Sequence, residues 1–292
     1  MAYLNIIIIG LFALSLGLSY GNQHWGSPLC AVFVRWNRWI LFSLVAGMIG
    51  IQFELTHRPY WLIVLITFLI WFLVETTYNW VAIGILSKST IPLFPSFEAD
   101  EGGEKWPTSN RFLALKESMR EEGFERICAL RARLGEGTYI NSSIYEDEKK
   151  QIRVQLLFIP VKPNVLSVCC TLSSLNEKGE RIITDNVFLP FGGYYPENWH
   201  LLRKPCQRRF SKLLSLHRKR IDSMLPSLLS WDNDPLTDLR EQYQLLQKTN
   251  TERGFLLPSN VRETHGRITS EGRYRIWKEI WLLSYFGISV SY

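Results

Sequence analysis

Glu75 is an acid set in apolar sequence. The uncharged run Tyr60–Val74 precedes it, and after Thr76–Asn79 a second apolar run, Trp80–Leu86, follows. An ionisable group inside a membrane span is costly and by default marks a proton or ion site. A carboxylate at the end of a span needs no such role. The second reading is favoured, with the span ending near Val74, because the other apolar stretches offer no second buried ionisable partner.

A second group of candidates lies in Phe188–His200, FLPFGGYYPENWH. Loops that combine glycine with aromatic residues carry binding sites, and they also cap sheets by filling space. Phe191, Tyr194, Tyr195, Trp199 and His200 are the binding candidates. An acid–base role would fall to Tyr195, Glu197 and His200.

Positive charge is the third signal. The formal net charge is +6. Residues 203–222 hold Arg203, Lys204, Arg208, Arg209, Lys212, Arg218, Lys219 and Arg220 against the single acid Asp222, more than the whole excess. Phe210, Leu213, Leu214, His217 and Ile221 recur at helical spacing, so the segment reads as one basic amphipathic helix, Arg203–Arg220. Such a helix can simply pack on a sheet with its charges in water. Beside a membrane its charges attract anionic headgroups. Nucleic acid is the weaker expectation, because no recognition module surrounds the stripe.

Other chemistry is missing from the sequence. There is no GxGxxG, Walker A, GxSxG or HExxH pattern. The five histidines are scattered, and Cys30, Cys128, Cys169, Cys170 and Cys206 form no CxxC pair. No metal or cofactor is therefore expected. The adjacent Cys169 and Cys170 read as packing residues.

These candidates need elements to hold them. Residues 1–90 carry six charged side chains and three apolar stretches, which read as membrane spans at about 4–20, 37–55 and 60–80. Met1–Asn5 has no Lys or Arg, so a cleaved signal peptide is the lesser alternative. Arg35, Arg38 and Lys88 against Arg58 and Glu54 give a small positive-inside bias. It places the N-terminus outside and the rest of the chain in the cytoplasm.

Residues 91–107, with three prolines and an acidic run, read as a linker. A helix follows at Ser109–Glu122, stopped by Gly123. Alternating apolar residues then predict five strands, at Cys128–Leu134, Thr138–Tyr145, Ile152–Phe158, Leu166–Leu172 and Ile182–Phe188, with a hairpin loop at Gly135-Glu136-Gly137. Short connections make them an antiparallel meander flanked by helices, an α+β domain over 108–225. A helical extension, 226–292, opens with the Asp234-Pro235 cap and ends with an apolar helix from Ser270 to Phe286, expected to pack on the domain.

The composition, 47% hydrophobic and 21% charged, excludes a disordered chain. The expected function is a non-enzymatic binding or regulatory module, membrane-anchored, that engages a protein partner or an anionic lipid surface. The alternatives are a membrane-associated enzyme with its site at the 188–200 loop, and a small transporter subunit using Glu75.

Overall fold

The computed structural model describes residues 2–102, 106–135, 137–162, 165–224 and 227–290. The chain is α+β, with three long apolar helices followed by a seven-stranded mixed sheet and further helices. Glu104 of the acidic run and Glu136 of the hairpin loop lie outside the described residues.

The three helices are α1 (Ala2–Trp25), α2 (Pro28–Gln52) and α3 (Tyr60–Lys88). By length and composition each can cross a membrane. Ser27 caps α2 by accepting from the Cys30 amide, and Pro28 takes the first helical position, where its missing N–H costs nothing. Many large apolar side chains on the bundle face outward. Ile6 and Ile9 are about two-thirds exposed, a surface that suits lipid rather than water.

The sheet runs in chain order: β1 (Phe97–Ala99), β2 (Phe124–Gly135), β3 (Thr138–Asp147), β4 (Arg153–Lys162), β5 (Val165–Leu175), β6 (Arg181–Asp185) and β7 (Trp199–Arg203). Neighbours are antiparallel except β6 and β7, which are parallel. The sequence pattern predicts five antiparallel strands, and two are missing from it. β1 is three residues long, and β7 lies where aromatic and basic residues hide any alternation. A parallel pair needs a crossover, usually helical, of a dozen or more residues. Here residues 186–198, which include the aromatic segment and no helix, are that crossover.

One face of the sheet packs on α4 (Asn110–Glu121) and α5 (Phe210–Met224). Ile152, just before β4, and Val154, Leu156 and Phe158 of β4 meet Leu213 and Leu214 there. The other face is covered by α6 (Pro235–Glu252), whose Leu239 and Tyr243 pack on Phe97, Leu130 and Ile144. Asp234 caps α6 through the Thr237 amide, as the Asp-Pro pair predicts.

After the short helix α7 (Arg262–His265), the chain forms α8 (Ser270–Trp281) and a π-helical turn, Leu282–Phe286. These elements do more than pack on the domain. They contact α2 and α3. A third core joins Ile83 of α3 to Phe255, Leu256, Ile268 and Ile276. Within 91–107, Leu93 and Phe94 join this core.

Candidate functional site

Three apolar helices and the α+β domain meet at a joint, and the joint holds three of the predicted residues, Glu75, Phe191 and Tyr194. α3 does not end at Val74 but runs unbroken to Lys88, so Glu75 is a mid-helix residue. Its carboxylate accepts from Trp71 Nε1 at 3.1 Å, from Arg35 Nη1 at 3.4 Å and from the Tyr285 hydroxyl in a short bond. The Arg35 guanidinium also lies over the Tyr285 ring. Arg35 is thus the ionisable partner absent from the sequence argument, where it counts only as a loop charge. Trp36 Nε1 donates to the Tyr285 carbonyl at 2.7 Å. Trp39 stacks on Phe68 and meets Trp281 and Tyr285. The C-terminal turn therefore closes on α2 and α3 through a cluster of aromatic rings around one satisfied carboxylate.

A second set of bonds fixes the end of α3. Ser87 Oγ accepts from the Arg267 and Ile268 amides at 3.1 and 2.9 Å, and Arg267 Nη2 donates to Ser89 O at 2.6 Å. Ile83, 2% exposed, is inserted in the third core.

The aromatic segment serves the same joint. Phe191 and Tyr194 pack in the core that holds Ile83. The Arg275 guanidinium lies 3.9 Å from the centre of the Tyr194 ring, and Asn250 bonds both the amide and the carbonyl of Tyr194 at 2.8 Å. Gly192, at φ +68°, sits so close to α8 that a Cβ would lie 2.7 Å from the Arg275 backbone. Tyr195 accepts from Arg203, whose guanidinium grips Asp185 with bonds of 2.9 and 3.0 Å. The Trp199 ring faces the Arg181 guanidinium, and the His200 carbonyl accepts from Arg220. Glu197 is exposed and pairs with Arg253. The Tyr195 hydroxyl and the Glu197 carboxylate are held by different arginines, Arg203 and Arg253, while His200 meets Arg220 through its backbone carbonyl.

The basic segment is not one helix. Arg203 lies in β7, Pro205 interrupts the chain, and α5 starts only at Phe210. Three of its cations serve the fold. Arg203 pairs with Asp185, Arg208 donates to Val168 O at 2.9 Å, and Arg220 donates to Ile183 O and His200 O. Lys204, Arg209, Lys212, Arg218 and Lys219 are exposed, and Arg218 pairs with Glu122. Cys206 Sγ, in the turn before α5, reaches Gly287 O, beside Val32 and Leu29 of α2.

Sequence reasoning missed two buried polar groups. Between the sheet and α6, Arg153 binds Glu146 and Asp238, and Arg181 binds the other oxygen of Asp238 at 2.6 Å. Both guanidiniums lie over the Trp231 ring, at 4.3 and 5.1 Å. Arg153 looks in sequence like the solvent face of β4. Beside this group is a small cavity of mixed lining, with Gln155, Thr171, Ser173 and Gln242 beside Ile144, Ile183 and Leu239 and room for about two waters.

On the opposite face His217 is fully enclosed. Arg220 donates to Thr184 Oγ1 at 2.7 Å, which leaves the Thr184 proton for His217 Nδ1 at 2.9 Å. Nε2 then donates to Ser174 Oγ at 3.2 Å, and Ser174 donates to Gln151 O at 2.8 Å. This Ser–His pair is therefore committed to the fold. Burial first, and Arg220 second, push the imidazole down from 6.5 to about 3. Cys169 and Cys170 are buried, and burial raises both thiols, away from the reactive thiolate.

Among the described residues no group of three or more His, Cys, Asp or Glu side chains is placed to hold a metal ion. No family model matches the chain, and neither curated proteins nor solved structures show a significant likeness to it.

Proposed function

We propose that the chain is an integral membrane protein with three spans, whose α+β domain is a non-enzymatic module that engages an anionic lipid surface from the cytoplasmic side. The dimensions support the anchoring. α3 is 29 residues long, about 43 Å at 1.5 Å per residue, against a hydrocarbon core of about 30 Å. The excess is the part of α3 that enters the third core. Lys88 ends α3 on the domain side and Arg58 lies in the α2–α3 turn, whereas Arg35 and Arg38 lie within α2 and do not count as loop charges, so the cytoplasmic side is supported by Lys88 and the basic surface of the domain.

One observation carries the lipid reading. The turn that opens the exposed basic surface, through Cys206, touches the first turns of α2 by way of Gly287. On this reading Lys204, Arg209 and Lys212 face the headgroups, each attracted by about 1 kcal/mol. The enzyme alternative loses its motive, because the 188–200 segment is filled by Phe191, Tyr194 and α8. The transporter alternative asks Glu75 to exchange partners it holds from three residues.

Lysine footprinting of the full chain in nanodiscs tests the proposal. Lys204 and Lys212 are expected to label more slowly in phosphatidylglycerol than in phosphatidylcholine, and salt is expected to reverse this. Lys248, exposed on α6, serves as the control. Equal labelling in the two lipids would sink the lipid reading and leave a protein partner in its place.

A further inference from the structure

One seam of the joint holds donors and lacks acceptors. Phe72, Thr76, Asn79, Ile83 and Ser87 recur at steps of three and four, so they form one face of α3. That face looks at the C-terminal elements. The ring centres of Phe72 and Trp281 are 5.1 Å apart, Ile83 shares the third core with Trp277, and Ser87 accepts from the Arg267 and Ile268 amides. Thr76 and Asn79 stand between these contacts, opposite α8. Arg273, Trp277 and Trp281 are four apart and form the matching stripe of α8, with the two indole centres 6.3 Å apart.

Five polar atoms along this seam are buried without a partner among the described residues: Thr76 Oγ1, Asn79 Nδ2, Arg273 Nε, Trp277 Nε1 and Trp281 Nε1. Asn79 as a whole is only 7% exposed. The four nitrogens can donate and do nothing else, and the hydroxyl can donate too. Buried donors left unpaired are costly, so such a row calls for an acceptor from outside the chain. Arg273, Trp277 and Trp281 are half-buried as whole side chains. An occupant therefore reaches the N–H groups by turning these side chains, with the helices left in place.

The level of the seam says which acceptor. Asn79 stands about 28 Å along α3 from Tyr60, against a hydrocarbon core of about 30 Å. At that level a bilayer presents the ester carbonyls of its lipids, with their phosphates just beyond, and indoles collect there. α8 runs from the domain toward the bundle, so Arg273 lies about 6 Å nearer the domain than Trp277.

We propose that this seam seats the backbone of one glycerophospholipid, with its ester carbonyls accepting from Trp277, Trp281 and Asn79 and its phosphate accepting from Arg273. The seat selects by linkage and not by net charge, so a zwitterionic lipid fills it as well as an anionic one. It rests on the reading of α1–α3 as membrane spans.

The experiment places the full chain in nanodiscs of ester-linked phosphatidylcholine or of its ether-linked analogue, which lacks both carbonyls. Native mass spectrometry then reads the retained lipid. Wild type is expected to keep one ester lipid and about tenfold less of the ether lipid, the worth of one or two hydrogen bonds. W277F and N79L keep the bulk and lose a donor, and each is expected to narrow that preference to about threefold. R273Q is expected to keep less of both lipids by the same factor, since both carry the phosphate. W61F, at the exposed far end of α3, is expected to behave as wild type. Phosphatidylglycerol in place of phosphatidylcholine is expected to leave the ester preference unchanged.

Equal retention of ester and ether lipid by wild type would overturn the seat and leave the donors to water. An ester preference undiminished in W277F and N79L would overturn its location, and full retention in R273Q would overturn the phosphate contact. If the variants fail to fold, the wild-type melting temperature decides: it is expected to be higher in ester than in ether discs, and equal values would overturn the seat. If Lys204 and Lys212 label by lipid charge and no ester preference appears, the seat fails alone. If the ester preference stands and labelling ignores lipid charge, the anionic reading fails alone. A chain that does not enter nanodiscs would remove the spans and the seat together.

Discussion

His217 has a proton-dependent consequence that belongs to it alone. It is neutral in the fold at pH values where an unfolded chain would bind a proton. Its folded pKa, about 3, is depressed from 6.5. Its stabilisation is therefore full above pH 6.5 and is lost as pH falls from there toward 3. The steepest loss is about 1.4 kcal/mol per pH unit. The denaturant midpoint of the full chain should fall between pH 6.5 and 4, and H217Q should flatten that segment of the curve. An unchanged slope in H217Q would show that other groups carry it. Single residues were the least legible level of this sequence. Glu75 could be singled out from its apolar surroundings, but Tyr285 is 210 positions away and carries no local mark. Arg153 alternates as a solvent-face residue should, yet Asp238 and Trp231 bury it. A residue type and its spacing do not say which distant side chain completes a pair.

Elements were legible where a pattern ran long enough. Ile152, Val154, Leu156 and Phe158 gave β4, because one face of that strand meets a continuous apolar core. Asp234-Pro235 gave the start of α6 for the same local reason that capping works in isolated helices. β7 stayed hidden because Trp199–Arg203 owes its pairing to β6, and its Trp199 and Arg203 side chains answer to Arg181 and Asp185 rather than to a core. The break between Arg203 and α5 was marked by Pro205, a signal that the concentration of charge overshadowed.

α6 is held to the sheet by one carboxylate shared between two arginines. Removing it leaves the Arg181 guanidinium buried without its carboxylate and Arg153 with Glu146 alone. D238A should therefore cost about 3–5 kcal/mol, read as a lower denaturant midpoint. R181M/D238A should recover part of that loss, since it removes one stranded charge. If D238A unfolds like wild type, α6 is held by its apolar contacts alone.

At the level of the molecule, composition separated a nearly uncharged third from a polar remainder, and the structure has three long apolar helices followed by an α+β part. The joint between them was not legible, because it is made from five distant segments: α2, the end of α3, the 188–200 crossover, residues 255–268 and the C-terminal turn. Since Ile83 fills the third core, residues 91–292 expressed without α1–α3 should expose Phe255, Leu256, Ile268 and Ile276. They should bind an apolar dye and melt below the full chain. Losing one such buried side chain alone costs about 2–5 kcal/mol. A dye-silent domain that melts like the full chain would mean that the core closes without the helix.

The bond from Trp36 to Tyr285 spans 249 positions, and this sets an order in time. Synthesis proceeds from the N-terminus, at about 5–20 residues per second. The rings on α2 and the carboxylate on α3 are therefore made many seconds before the turn that covers them. During that interval Glu75 has only Trp71 and Arg35 to satisfy it, and the Trp39 ring is bare on its Tyr285 side. A chain stalled before residue 285 leaves that aromatic surface of α2 uncovered. The closing turn thus divides nascent chains into those with this surface open and those that have finished.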